Sequence, residues 1–200
     1  MAKPIRIASA LVLGLAGAIA TAAGALATPI TYTGQTTASG SLNGVGFSNA
    51  SITLTMMNNT ASVTQPSSGL FENFGTITLN VSGFAPVTFT DETDVFSNQN
   101  VTTVGFTDQS VSDILDFDST PFSTYALATS IGPISTAAGL EGGPFPTTGG
   151  AFEVTASSGT GTFTASTAIP EPSSIALLGV GLTGLGVIRR RKTGSANVGG

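Results

Sequence analysis

The chain has 200 residues, room for one domain of ordinary size with short appendages. Only 8% of residues are charged, Gly, Ser and Thr number 26, 22 and 31, and there is no Cys, His or Trp. These absences exclude disulfides, thiol nucleophiles, zinc ribbons, iron–sulfur clusters, histidine-ligated metals and the Ser-His-Asp triad, and the net charge of −5 speaks against nucleic acid as a partner.

The charges are sorted along the chain. All six basic residues lie at the ends: Lys3, Arg6, Arg189, Arg190, Arg191 and Lys192. All eleven acids lie from Glu72 to Glu171. Such a pattern reads as a targeting segment, a passenger and a membrane tail.

At the start, Lys3 and Arg6 form a positive region. Residues 7–20 are apolar, with Leu11, Val12, Leu13, Leu15 and Ile19, and Ala25-Leu26-Ala27 fits the A-x-A cleavage pattern. Residues 1–27 thus read as a secretory signal peptide. Cleavage after Ala27 leaves Thr28 as the new N-terminus; Ala23 and Ala25 are compatible cut sites too.

The passenger shows period-2 alternation and little helical periodicity. Ile52, Leu54 and Met56 alternate with Thr53 and Thr55; Ile77, Leu79 and Val81 with Thr78 and Asn80; Val87 and Phe89 with Thr88 and Thr90. Further strands are expected in 101–106, 110–117, 125–131, 151–155 and 161–166. Turn residues fill the gaps, as at Asn58-Asn59, Ser82-Gly83 and Gly142-Gly143-Pro144. About eight short strands predict an all-β domain over 28–160, an antiparallel, jelly-roll-like β-sandwich. Residues 135–150 lack periodicity and are expected to be a long loop. Residues 161–169 are expected to end as a Ser/Thr/Ala stalk. Thr-x-Thr recurs at Thr31/Thr33, Thr53/Thr55, Thr76/Thr78, Thr88/Thr90 and Thr162/Thr164, at spacings too irregular for a solenoid.

Catalysis has little to work with. The passenger has neither His nor Lys, so a nucleophilic Ser lacks its usual base. Paired carboxylates remain, Asp116 and Asp118 sharing a strand face, which would suit a hydrolase. With only Tyr32 and Tyr125 beside the Phe residues, the chain is poor in sugar-stacking rings, and no catalytic residue is assigned. Calcium is the one metal that oxygen ligands alone would suit. Asp91 and Asp94, beside Glu92, are candidates, as are Asp116 and Asp118, near Asp108 and Asp113. No D-x-D-x-D-G loop supports them, and a solvated acidic surface is the simpler expectation.

The end of the chain is the most informative. Ile169-Pro170-Glu171-Pro172-Ser173-Ser174 leads into an uncharged apolar run, 175–188, and then the basic cluster 189–192. As a helix, the segment 173–188 spans roughly 20–25 Å, short of the ~30 Å hydrocarbon core but able to cross with snorkelling arginines. The cluster places the tail 193–200 in the cytoplasm.

Pro170-Glu171-Pro172, the short Leu/Gly-rich segment and Arg189, Arg190 and Arg191, in that order over 170–192, resemble the PEP-CTERM sorting signal of Gram-negative bacteria. Such tails also go under the heading of an ice-binding-protein C-terminal domain, which describes the tail and not the passenger. The resemblance implies recognition and removal of the tail by an exosortase, a membrane-embedded transpeptidase-like enzyme. It implies release or attachment of the passenger at the cell surface, in bacteria that make exopolysaccharide. The expected partners are therefore signal peptidase, the inner membrane before processing, the exosortase and extracellular polysaccharide. The expected role is that of a noncatalytic surface or matrix protein. A carbohydrate- or ice-binding module, through the Thr-x-Thr faces, is the alternative, and a carboxylate-dependent hydrolase a more distant one.

Overall fold

The computed structural model describes residues 27–168. The segments expected to be the signal peptide, the sorting motif, the membrane helix 173–188, the basic cluster and the tail 193–200 lie outside the described residues, apart from Ala27. Among the described residues no helix is long and apolar enough to cross a membrane.

The strands are β1 Pro29–Leu42, β2 Val45–Asn59, β3 Thr64–Ser67, β4 Leu70–Phe74, β5 Ile77–Val81, β6 Val87–Thr88, β7 Thr93–Asn98, β8 Thr103–Asp108, β9 Ser112–Asp118, β10 Ile131–Leu140, β11 Phe145–Thr147 and β12 Gly150–Thr167. The all-β, antiparallel class is as expected. The arrangement differs from two separate sheets: the strands join in one continuous path, β3-β4-β7-β8-β9-β10-β12-β1-β2-β5-β6, with β11 beside β12. The path curls over on itself. Gly34 of β1 sits so close beneath β8 and β9 that a Cβ there would lie 2.6 Å from the Phe106 ring and 3.1 Å from Phe117. Glycine is needed at this crossing because the two layers touch through it.

Alternation explains which face each strand buries. Ile30 and Tyr32 on β1, Ile52, Leu54 and Met56 on β2, and Ile77, Leu79 and Val81 on β5 point inward and are buried. From the other half come Val95, Val104, Phe106, Leu115 and Phe117. At the junction Phe163 of β12 is wholly buried. Its ring centroid lies 5.7 Å from Phe122, 5.8 Å from Phe117, 6.2 Å from Tyr125 and 6.3 Å from Phe106. A second aromatic cluster joins Phe47 to Phe84 and Phe152, and Phe145 to Phe89 and Phe152.

A buried polar chain crosses the core. The Tyr32 hydroxyl donates to the Leu127 carbonyl at 2.6 Å and accepts from Asn73 Nδ2 at 2.9 Å. Asn73 Oδ1 accepts from Asn58 Nδ2 at 2.8 Å. Burial pushes the Tyr32 phenol up to about 12, with the Asn73 hydrogen bond pulling the other way. Each polar atom named here has a partner, so the chain ties the layers without leaving an orphan.

Three expectations are corrected. Residues 161–167 are no stalk: they are the end of β12, paired with β1 from Gln35↔Thr162 to Ile30↔Thr167. Residues 135–150 are no loop: β10 occupies part of them, pairing with β9 and β12, and β11 another part. Residues 125–131, expected as a strand, are the exit from a short 3-10 helix, Thr120–Thr124, and a turn; only Ile131 belongs to a strand.

The first and last strands pair with each other, and the Ala168 amide donates to the Pro29 carbonyl at 2.9 Å. Residues 27–168 therefore close on themselves as a folding unit with its own core.

Candidate functional site

Two outer faces of the curled sheet have opposite chemistry. The first is carried by β10, β12, β1, β2, β5 and β6. Pairing aligns Thr164, Thr33, Thr55, Thr78 and Thr88 side by side across five strands. The next row is Ser135, Thr162, Gln35, Thr53 and Asn80. Neighbouring hydroxyls are thus set by the strand spacing of about 4.8 Å. Ser135 and Thr162 hydroxyls are joined at 3.0 Å. Neither row contains a charge. One threonine of each Thr-x-Thr pair, irregular along the sequence, thus joins a regular row in space, because antiparallel pairing compensates for unequal loop lengths.

The second face is carried by β4, β7, β8, β9 and β10. In one row Glu72, Phe96, Gly105, Asp116 and Gly139 stand in register. In the next stand Phe74, Asp94, Thr107 and Asp113. An open groove here is lined by Glu72, Asp94, Gln109 and Asp113 among others. Asp94 Oδ1 accepts from Gln109 Nε2 at 2.7 Å. Burial pushes Asp94 up to about 6 against that hydrogen bond, and Glu72, Asp113 and Glu92 add repulsion. Thr107 Oγ1 donates to Asp113 Oδ1 at 3.0 Å.

Asp116 lies against Gly105 and the Phe96 ring, so closely that a Cβ on residue 105 would meet its Oδ1 at 2.2 Å and the ring at 2.6 Å. That Oδ1 is buried and without a hydrogen-bond partner. Burial pushes Asp116 up to about 7, with repulsion from Asp113, Asp118 and Glu141 behind it. Asp108, at the end of β8, is 1% exposed. Its Oδ1 accepts from the Ser110 amide at 3.0 Å, but its Oδ2 is buried without a partner. Burial raises its pKa, the Ser110 amide lowers it, and Asp91 raises it further.

The sequence candidates fall as follows. Asp116 and Asp118 do share the outer face of β9, opposite Gly105 and Thr103. Asp118 is exposed and accepts from Thr103 Oγ1 at 2.5 Å. Asp91 precedes β7, whereas Asp94 stands on that strand. Among the described residues no group of three or more acidic, Cys or His side chains is placed to hold a metal ion. Sequence reasoning missed Glu72 and Gln109, which join Asp94 only through strand pairing and carry no local signal. Ala27 is exposed and lies outside the sheet, two residues before β1. Ala25 and the sorting-motif residues Pro170, Glu171, Pro172, Arg189, Arg190 and Arg191 lie outside the described residues.

Comparison with known proteins adds one match. Residues 168–192 fit the family model of the PEP-CTERM protein-sorting motif, and the passenger fits none. Neither a curated protein nor a solved structure matches the chain. The motif begins one residue after β12 ends, at the edge of the folded unit. With that motif behind its last strand, the chain is an exported cell-surface protein sorted by an exosortase.

Proposed function

We propose that the domain is noncatalytic surface cargo of an exopolysaccharide-producing bacterium. In this reading a signal peptidase cuts after Ala27. The helix 173–188 holds the precursor in the inner membrane, with 189–200 in the cytoplasm. The exosortase then acts at Pro170-Glu171-Pro172. The observation that carries it is the junction itself: a closed β unit abuts the sorting motif, while signal-peptide cleavage after Ala27 would spare every strand. The faces offer no hydroxyl paired with a nitrogen base: Thr103 and Thr107 donate to the carboxylates of Asp118 and Asp113, and no Lys, Arg or His occurs between Ile7 and Ile188.

The test follows the chain in cells. A tag placed in the Asn43-Gly44 turn should report a shorter, surface-located product when the exosortase is present. It should report a membrane-held precursor when the exosortase gene is deleted or Pro170-Glu171-Pro172 is replaced by alanines. Identical size and location in all three strains would sink the proposal.

The Thr face favours a second reading, a binding module for neutral carbohydrate or for ice. Its aligned hydroxyls and methyls form an uncharged platform on an otherwise acidic domain. Residues 27–168 should bind a neutral glycan on an array or inhibit ice recrystallisation, and Thr55→Glu should abolish either. No signal in both assays removes this reading.

A further inference from the structure

Three carboxyls of the β7–β8–β9 meander, the buried Asp94 and Asp108 and the half-buried Asp116 with its buried Oδ1, have no basic partner. The domain contains no Lys, Arg or His at all, so no side chain can neutralise them. Asp94 and Asp108 are each 1% exposed. Asp108 Oδ2 and Asp116 Oδ1 lack any hydrogen-bond donor. Around Asp94 stand Gln109, Glu72, Asp113 and Glu92; around Asp116 stand Asp113, Asp118, Glu141 and the Phe96 ring; around Asp108 stand the Ser110 and Val111 amides and Asp91. Every charged neighbour is an acid. An ionised carboxylate in such a place carries a large desolvation cost with no counter-charge to offset it, only the Gln109 amide at Asp94 and the Ser110 amide at Asp108 working the other way.

We infer that protons are the counter-ions of this meander: folding draws protons onto Asp94, Asp108 and Asp116, and β7–β9 loosens as the medium turns from mildly acidic to alkaline. Protonation also supplies what the geometry lacks, since a neutral carboxyl needs no cation. The sign follows from linkage. Asp94 at about 6 and Asp116 at about 7 are raised above the ordinary 3.8. Their stabilising effect is therefore complete below about pH 4 and lost as pH rises through 6 and 7. The device is independent of the sorting motif and of either proposed function.

Urea unfolding of residues 27–168 at pH 5, 6, 7 and 8 tests it, with and without calcium. The unfolding constant should rise about tenfold or more per pH unit between pH 5 and 7. Amide exchange should accelerate in β7–β9 before β1 and β2. Asp116→Asn, neutral at every pH, should lower the slope between pH 5 and 6 by about one proton, a factor of ten per unit. If that variant fails to fold, titration of the wild-type carboxyl carbons by NMR decides instead: Asp94 and Asp116 should titrate near 6 and 7, and Asp108 above the ordinary aspartate value. Constant or rising stability from pH 5 to 8, an Asp116→Asn slope equal to wild type, or uniformly ordinary carboxyl titrations would each overturn the inference. So would calcium restoring at pH 8 the full stability seen at pH 5, which would make a metal cation the counter-ion.

Discussion

Phe163 does more for this fold than its surroundings in the sequence suggest. It sits in a run of Gly, Thr, Ala and Ser, yet its ring is wholly buried among Phe106, Phe117, Phe122 and Tyr125. Phe106 and Phe117 come from β8 and β9, and Phe122 and Tyr125 from the segment after β9, so this one side chain pins the two halves of the curled sheet together. Truncating such a ring removes its transfer free energy and leaves a cavity that rigid neighbours cannot fill. Phe163→Ala should therefore cost about 3–5 kcal/mol in urea unfolding. The next residue is the control. Thr164 points to the outer face, and Thr164→Ala should stay within about 0.5 kcal/mol of wild type. Equal, small effects at both positions would mean that the end of β12 is not packed as described.

At the scale of the element, β12 decides whether the domain closes. It pairs with β1 along nearly its whole length and with β10 and β11 on its other side. A chain stopped after residue 160 loses the pairs from Thr36↔Gly161 to Ile30↔Thr167, the β10 pairs from Ile131↔Ala165 to Thr136↔Gly161, and Phe163 with them. Such a chain should show no cooperative unfolding transition by circular dichroism, whereas residues 27–168 should show one; a sharp transition in the shorter chain would restore the stalk reading. How far these elements were legible follows from what fills their inward positions. β2 and β5 could be read because Ile52, Leu54, Met56, Ile77, Leu79 and Val81 alternate with polar residues. β1 escapes because Gly34, Thr36 and Ala38 take its inward positions, and Gly34 must be small for the layers to touch. β10 escapes for a similar reason, since Gly, Ala, Ser, Thr and Pro dominate it, whereas β12 was legible at its two ends, 151–155 and 161–166, but not as one continuous strand, because the Ala, Ser, Gly and Thr between them are held by pairing with β1 far away in sequence. The acids divide in the same way. Asp116 and Asp118 were legible as one face, being two residues apart on one strand, whereas Glu72 reaches the groove of Asp94 only through the pairing of β4 with β7.

The whole domain is an anion with an uncharged side. Residues 27–168 contain ten acids and no base, a formal charge of −10, against −5 for the full chain. Apart from Glu153, exposed on β12 opposite Ser41, the acids gather on the β4–β7–β8–β9 face and at the turns, while the Thr rows carry none. Unbalanced charge of one sign destabilises a compact state, because unfolding moves the charges apart. Added salt screens that repulsion, with a Debye length of about 10 Å at 0.1 M and about 3 Å at 1 M. Ordinary mixed surfaces contain attractions as well as repulsions, and screening largely cancels. Here every pairwise term is repulsive, so the sum has one sign. Sodium chloride should therefore raise the melting temperature of residues 27–168 steadily at pH 8. The increment should shrink at pH 5, where Asp94 and Asp116 are already protonated and the folded state carries less charge. It should vanish near pH 3, where few carboxylates remain ionised in either state. Sucrose at matched osmolality separates screening from preferential exclusion, since it would raise the melting temperature equally at all three pH values. A flat or falling salt response at pH 8 would show that the repulsion is relieved elsewhere, and the segregation of charge onto one face would then lose its energetic meaning.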